Sequence, residues 1–347
     1  MALHILEFTE CSTFEGISKM MLTYPPAIKL AQLPTPIEKL SQLTARLEGP
    51  EIYIKRDDYT GIAETGNKVR KLEFILAEAQ RLKSSHLITC GGYQSNHART
   101  TAVLAARLGL GCHLVLRNGM SSAMEGNLFL SRLVGAEIQQ VTPEEYMHVN
   151  DIMQGVALDI KSKGGKAYII PEGGSNEFGV LGYVRAMEEM DKQLKERSIS
   201  IQHMVVPVGS GGTYAGLLLG KYLFDLPVAV HGINVCDNEA YFTNKISKLI
   251  DKVCKRFSLD LKSAKKEISI IDGYVGKGYG LSSQNEIELI KQVAQKDGII
   301  LDPVYTGKAM HGLIDQIRQG RFKPGEKVLF LHTGGIFGLF PKKSLFF

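Results

Sequence analysis

The chain has 347 residues, 44% of them apolar and 22% charged, enough for two α/β lobes or one large α/β unit. A net charge of +5 comes from 41 basic and 36 acidic residues that are scattered along the chain, which argues against a nucleic-acid-binding arm. Five cysteines, odd in number and without a CxxC pair, argue for free thiols in a reducing compartment, and no apolar run approaches the roughly 20 residues that span a bilayer.

Residues 1–21 carry Glu7, Glu10 and Glu15 and lack the basic-then-apolar order of a signal peptide, so a cytoplasmic location is expected. Residues 1–40 show no clear periodicity and are rich in proline (Pro25, Pro26, Pro34, Pro36). A short alternating strand is predicted at Glu51–Lys55. A helix follows from Lys68, where Leu72, Ile75, Leu76 and Ala79 recur at helical spacing. His86–Cys90 reads as an apolar strand running into Gly91-Gly92. A helix from about Ser95 to Leu108 comes next, stopped by Gly109 and Gly111. Further strands are predicted at Cys112–Leu116, Ala167–Ile170, Met204–Val208, Val228–Val235 and Lys327–His332. Apolar strands alternating with helices predict an α/β protein with parallel-rich sheets flanked by helices. Glycine-rich turns follow three of these strands, at 91–92, 173–175 and 209–213. In open α/β sheets the carboxyl ends of strands are where ligands bind.

Several of these turns could carry chemistry. Lys68 follows a Gly66-Asn67 turn and opens an apolar helix, where a solvated surface lysine would oppose the helix dipole. A buried amine held ready to bond to an aldehyde explains it better. The loop Val205–Gly216 brings Gly209, Ser210, Gly211, Gly212 and Thr213 to a helix start, which suits a phosphate; a tight strand-to-helix turn is the plainer alternative. Gln94, Ser95, Asn96 and His97 form a polar run at another helix start, where amides and hydroxyls suit a substrate carboxylate; Ser95 could instead be a plain N-cap, and His97 is read as structural. Tyr279 and Tyr305 lie in glycine-bounded loops, and His332-Thr333-Gly334-Gly335 reads as a further ligand-facing turn. No HxH or HExxH spacing occurs, so no catalytic metal is expected.

Taken in order, the stretches LPTPIEKL, IYIKRDD, TGNKVRKLEF, YQSNHART, PEGGSN, GSGGTYAG, GKGYG, DPVYTGKA and HTGG resemble the fold-type II pyridoxal phosphate enzymes, in the branch of D-cysteine desulfhydrases and 1-aminocyclopropane-1-carboxylate (ACC) deaminases. The resemblance runs from about residue 33 to 335. It implies a two-domain, tryptophan synthase β-like fold, with residues 67–178 as the small domain and 1–66 and 179–347 as the large one. It also implies pyridoxal 5'-phosphate as cofactor, a small amino acid as substrate and a homodimer as the assembly. By the same resemblance Lys68 bonds the cofactor aldehyde, Asn96 the cofactor's 3-hydroxyl, and the Gly209–Thr213 loop with Lys71 its phosphate. Ser95 then stands near the substrate carboxylate and Cα, with Gln94 and Asn96 beside it. Tyr279 and Tyr305 match the active-site tyrosines, and Thr306 the position facing the pyridine nitrogen. ACC deaminases carry glutamate at that last position, which keeps the nitrogen protonated and the ring a strong electron sink. Threonine there implies a neutral ring, suited to β-elimination from D-cysteine. ACC deamination is the first alternative and cysteate sulfo-lysis the second.

Overall fold

A computed structural model describes residues 22–118 and 124–347; the readings made for residues 1–21 lie outside them. In chain order the elements are β1 (Ile37–Lys39), α1 (Ser41–Leu47), β2 (Glu51–Arg56), α2 (Asn67–Arg81), β3 (His86–Gly92), α3 (Asn96–Arg107), β4 (Gly111–Arg117), α4 (Gly126–Leu133), β5 (Glu137–Val141), α5 (Pro143–Tyr146), α6 (Val149–Ser162), β6 (Ala167–Ile169), α7 (Glu177–Glu196), β7 (His203–Val208), α8 (Gly212–Leu223), β8 (Ala229–Asn234), α9 (Glu239–Phe257), β9 (Ile270–Ile271), α10 (Gln284–Asp297), α11 (Thr306–Arg318) and β10 (Lys327–His332). The predicted strands are all present. The strands β1, β5 and β9 escaped the sequence reading because they are short or exposed: β5 buries only Val141.

The strands form two sheets, one in the order β1-β2-β10-β7-β8-β9 and one in the order β5-β4-β3-β6. Every pairing is parallel except β1 with β2. Parallel sheets need both faces covered, and each sheet here lies between two apolar clusters. Leu217 and Val206 belong to one face of the larger sheet, and Leu313 and Val328 to the other. Leu72, Leu104 and Leu114 cover one face of the smaller sheet, and Ile88, Val115 and Met153 the other.

A buried ionic cluster fixes α2, the helix that carries Lys68 and Lys71. Asp57, just past β2, is fully buried and accepts from Arg70 Nε and Nη2 at 2.9 Å each, from Tyr183 Oη at 2.5 Å and from Thr35 Oγ1 at 2.8 Å. Arg70 also donates to Glu189 on α7 at 2.8 Å, and Lys55 Nζ meets the same carboxylate at 2.5 Å. Burial opposes the charge on Asp57, but Arg70 and Lys55 hold its pKa below the usual carboxylate value. Gly182 lets α7 lie close against α2, since a Cβ there would stand 2.4 Å from the Arg70 carbonyl oxygen. Much of the IYIKRDD and NKVRKLE pattern is thus a clamp that positions the helix carrying Lys68 and Lys71.

Candidate active site

Strands of both sheets end at one cavity of about 460 Å³. Gly91 and Gly92 close β3, Arg117 closes β4, Gly209 follows β7, Cys236 follows β8 and Thr333 follows β10, and all of these residues line it. The cavity therefore occupies the carboxyl edge expected of parallel sheets.

Lys68 enters the cavity from the first turn of α2. Gly66 precedes that turn at φ 105°, a conformation that disfavours other residues, and the carbonyl oxygen of Thr333 lies 2.8 Å from where its Cβ would be. Asn67 donates its N–H to the same oxygen at 3.1 Å, which ties the start of α2 to the end of β10. Lys68 Nζ donates to Asn67 Oδ1 at 3.1 Å and lies 5.9 Å from the centre of the Tyr305 ring. Burial brings its pKa down to about 8, against the smaller opposing pull of Asp302 and Glu172. A sizeable neutral fraction is thereby available at physiological pH.

The Gly209–Thr213 turn also lines the cavity, tied to the start of α2 by Asn67 Nδ2, which donates to Thr213 Oγ1 at 3.0 Å. Gly209, Ser210, Gly211 and Thr213 line the cavity, and Gly211 is left-handed at φ 85° where α8 begins. Gly212 and Lys71 lie directly behind them: a Cβ on Gly212 would stand 2.6 Å from Lys71 Nζ and 2.5 Å from Ser175 Oγ. Ser175 Oγ accepts from Lys71 at 2.9 Å and from the Gly212 N–H at 3.2 Å, and donates to Ser210 Oγ at 2.8 Å. Lys71 also donates to the Gly173 carbonyl at 2.6 Å, and burial, with Lys68 and Lys245 nearby, brings its pKa well below that of an ordinary lysine. Helix-start amides, two serine hydroxyls and a lysine amine hydrogen-bonded only to neutral oxygens make a receptor for an anion, which would favour the protonated amine.

A second helix start supplies the third wall. Ser95 is the N-cap of α3 and accepts from the Ala98 N–H at 3.2 Å, while Asn96 and His97 line the cavity beside it. Asn96 Oδ1 accepts from Asn127 Nδ2 at 2.9 Å, and Asn127 Oδ1 accepts from the buried Arg99 Nε at 3.0 Å, so the orientation of Asn96 is set from behind. Gln94 is turned away from the cavity: its amide accepts from the Asn127 N–H at 3.0 Å and donates to the Glu125 carbonyl at 3.1 Å. Its role is to brace Asn127. His97 Nε2 meets Thr89 Oγ1 at 2.9 Å while that hydroxyl donates to the Ile170 carbonyl, so His97 is the neutral Nε2–H tautomer.

Tyr279 and Tyr305 close the cavity with their hydroxyls 2.5 Å apart. Burial pushes the Tyr279 hydroxyl up to about 12 and the Tyr305 hydroxyl well above its usual value, so both keep their protons at neutral pH. Thr306 differs from its sequence reading. It is fully buried and is not part of the lining; its hydroxyl donates to Asp302 Oδ1 at 2.7 Å and accepts the Asp302 N–H at 2.8 Å. Asp302 caps the start of α11, taking the N–H groups of Val304, Tyr305 and Thr306, and Thr306 belongs to that cap. Thr213 and Thr333 line the cavity; Thr306 does not.

Arg117, Tyr146, Glu172, Cys236 and Lys245 also line the cavity, and sequence reasoning passed over them. Arg117 and Cys236 had a usable signal, because each stands at the carboxyl end of a buried parallel strand. No group of three His, Cys, Asp or Glu residues placed to hold a metal ion occurs among the described residues. No helix among them is long and apolar enough to cross a membrane. Cys90, Cys112, Cys236 and Cys254 are free thiols.

A family model described as "Pyridoxal-phosphate dependent enzyme" matches residues 28–334. The chain is 42% identical over 323 residues to the bifunctional mitochondrial D-cysteine desulfhydrase/1-aminocyclopropane-1-carboxylate deaminase of Arabidopsis thaliana, covering 90% of this chain and 79% of that one. It is 41% identical over 329 residues to the D-cysteine desulfhydrase of Klebsiella pneumoniae, covering 93% and 98% of the two chains. Among solved structures, an ACC deaminase homologue superposes with a TM-score of 0.85 at 36% identity, covering 92% and 95%.

Proposed function

The chain belongs to the pyridoxal-phosphate-dependent enzymes, and from that membership we propose that it converts D-cysteine and water to pyruvate, ammonia and hydrogen sulfide. The cavity fits the cofactor on its own terms. The single observation that carries the reading is the pairing, at one cavity, of a Lys68 amine of lowered pKa with an anion receptor built from Gly209–Thr213 and Lys71. The absence of a Cβ at Gly212 keeps that receptor open.

In this reading Lys68 bonds the cofactor's aldehyde carbon, Asn96 its 3-hydroxyl, and the Gly209–Thr213 turn with Lys71 and Ser175 its phosphate. When bound, pyridoxal phosphate holds the substrate's nitrogen and draws electron density from Cα. The start of α3 at Ser95 and Asn96 receives the substrate carboxylate, because its first-turn N–H groups have no partners within the helix. With its amine free, Lys68 would take the Cα proton as a base positioned by its own chain. The Tyr279–Tyr305 pair needs one of its two protons for its own hydrogen bond and can offer the other to the departing sulfur. We further propose the division into a small domain at 67–178 and a large domain from 1–66 and 179–347, and a homodimeric assembly.

D-Cysteine is favoured over ACC because the threonines that line the cavity, Thr213 and Thr333, are neutral and would not hold a proton on a ring nitrogen, and Thr306, spent on Asp302, supplies no carboxylate either. The test is a panel of D-cysteine, ACC and cysteate on the cofactor-loaded protein, read as sulfide, 2-oxobutanoate and sulfite. Sulfide release at least tenfold faster than 2-oxobutanoate formation is expected; the reverse order overturns the assignment.

A further inference from the structure

Arg117 closes β4 at the cavity wall, and the proposed reaction does not use it. Its guanidinium carbon lies 5.0 Å from the centre of the Tyr146 ring and 5.6 Å from that of Tyr279. Two rings therefore hold it in place, and among the described residues it has no ion pair and no hydrogen bond to satisfy its five donors. Glu172, the acidic residue on the same wall, accepts from Tyr146 Oη at 2.7 Å and forms no ion pair with Arg117. Tyr279, the ring under Arg117, is also the ring whose hydroxyl meets Tyr305, and Tyr305 faces Lys68. Arg117 thus stands next to the tyrosine pair that the proposed reaction assigns to the departing sulfur. The carboxylate position at α3 and the phosphate position at α8 are built from other residues. A planar, permanently charged fork beside a substrate cavity, with its donors unspent, is a receptor for an anion.

We propose that Arg117 is a specificity-determining residue that selects amino acids carrying an anionic sulfur group on Cβ, a thiolate or a sulfonate, over those with a neutral β-substituent. This rests on the elimination reading above and extends it. The Cα–H and Cβ–S bonds break, the Cα proton goes to Lys68, and the sulfur group departs with the Cβ–S electron pair, as sulfite from cysteate or, with a proton from the Tyr279–Tyr305 pair, as hydrosulfide from the cysteine thiolate. Water then releases pyruvate and ammonia. No oxidant or reductant is required. Glu172 opposes the same anion, so the wall is tuned by a pair of opposite charges held apart by Tyr146.

The test uses the cofactor-loaded protein and the change in its visible absorbance when an amino acid displaces Lys68, read by stopped flow before turnover. The probes are D-cysteate and D-serine, which differ in the charge on Cβ, with their L-isomers run in parallel. D-Cysteate is expected to half-saturate at a concentration at least tenfold below that of D-serine. Arg117→Gln should reduce that ratio at least tenfold, Arg117→Lys should retain part of it, and Glu172→Gln should increase it. Because the readout is a ratio within one protein, a general loss of affinity does not imitate it. A wild-type ratio below 2, or an unchanged ratio in Arg117→Gln, overturns the proposal. If no amino acid changes the absorbance, the elimination reading fails instead, and calorimetric titration with cysteate and serine then decides Arg117 by the same ratio.

Discussion

The lowered pKa of Lys68 has a consequence that can be measured without any substrate. Only a neutral amine condenses with an aldehyde, so capture of pyridoxal phosphate by the cofactor-free protein reports the neutral fraction of Lys68. A pKa of about 8 leaves ~9% of the amine neutral at pH 7, against ~0.03% for a lysine at the ordinary 10.5. Between pH 7 and 9 the capture rate should rise ~10-fold and then level off, while an ordinary lysine would gain ~100-fold and keep rising beyond pH 10. The assay mixes cofactor-free protein with pyridoxal phosphate from pH 6.5 to 10 and follows the visible band. Borohydride trapping and peptide mapping then place the label on Lys68. A hundredfold rise without levelling, or a label elsewhere, would refute the argument that burial sets this amine.

The same burial has a cost for the fold. Because the folded pKa of Lys68 lies below its unfolded value, stability is lost as pH falls from about 10.5 through about 8 and stays lost below that. Lys68→Met should therefore raise the melting temperature at pH 7, by the equivalent of roughly 1–3 kcal/mol, and bring no gain near pH 11, while abolishing cofactor capture. Gly212→Ala should fold but lose at least tenfold in cofactor affinity by spectral titration, because the new methyl would meet Lys71 Nζ and Ser175 Oγ inside 2.7 Å. Arg70→Met leaves Asp57 and Glu189 without their shared partner in a buried site and should cost about 3–5 kcal/mol in urea unfolding. Asn127→Ala leaves Arg99 Nε and Asn96 Oδ1 unpaired and should cost about 1–3 kcal/mol, with weaker cofactor binding alongside.

Local patterns proved sufficient for the buried parts of the fold. The apolar runs at β3, β4, β7, β8 and β10 and the periodicity of α2 are properties of neighbouring residues, because burial on both faces or on one stripe writes itself into the local sequence. The glycine turns after these strands pointed to a ligand edge for the same reason, and nine ordered motifs carried the family and its cofactor. Side-chain direction was not legible in this way. Gln94 and Thr306 stand in the right motifs, yet each spends its polar atoms on a neighbour, Asn127 in one case and Asp302 in the other. Their partners are set by how α4 approaches α3 and how Asp302 caps α11. Arg117 was not singled out by the sequence, and Glu172 stood only as a letter of the PEGGSN motif; they line the cavity because β4 and the turn after β6 end at the same edge as the turn after β7. The sequence by itself determined the α/β class and the family, and singled out Lys68 as the candidate lysine, since these depend on short-range spacing. Only the tertiary structure decided which charges line the cavity, because that depends on where separate strands end in space.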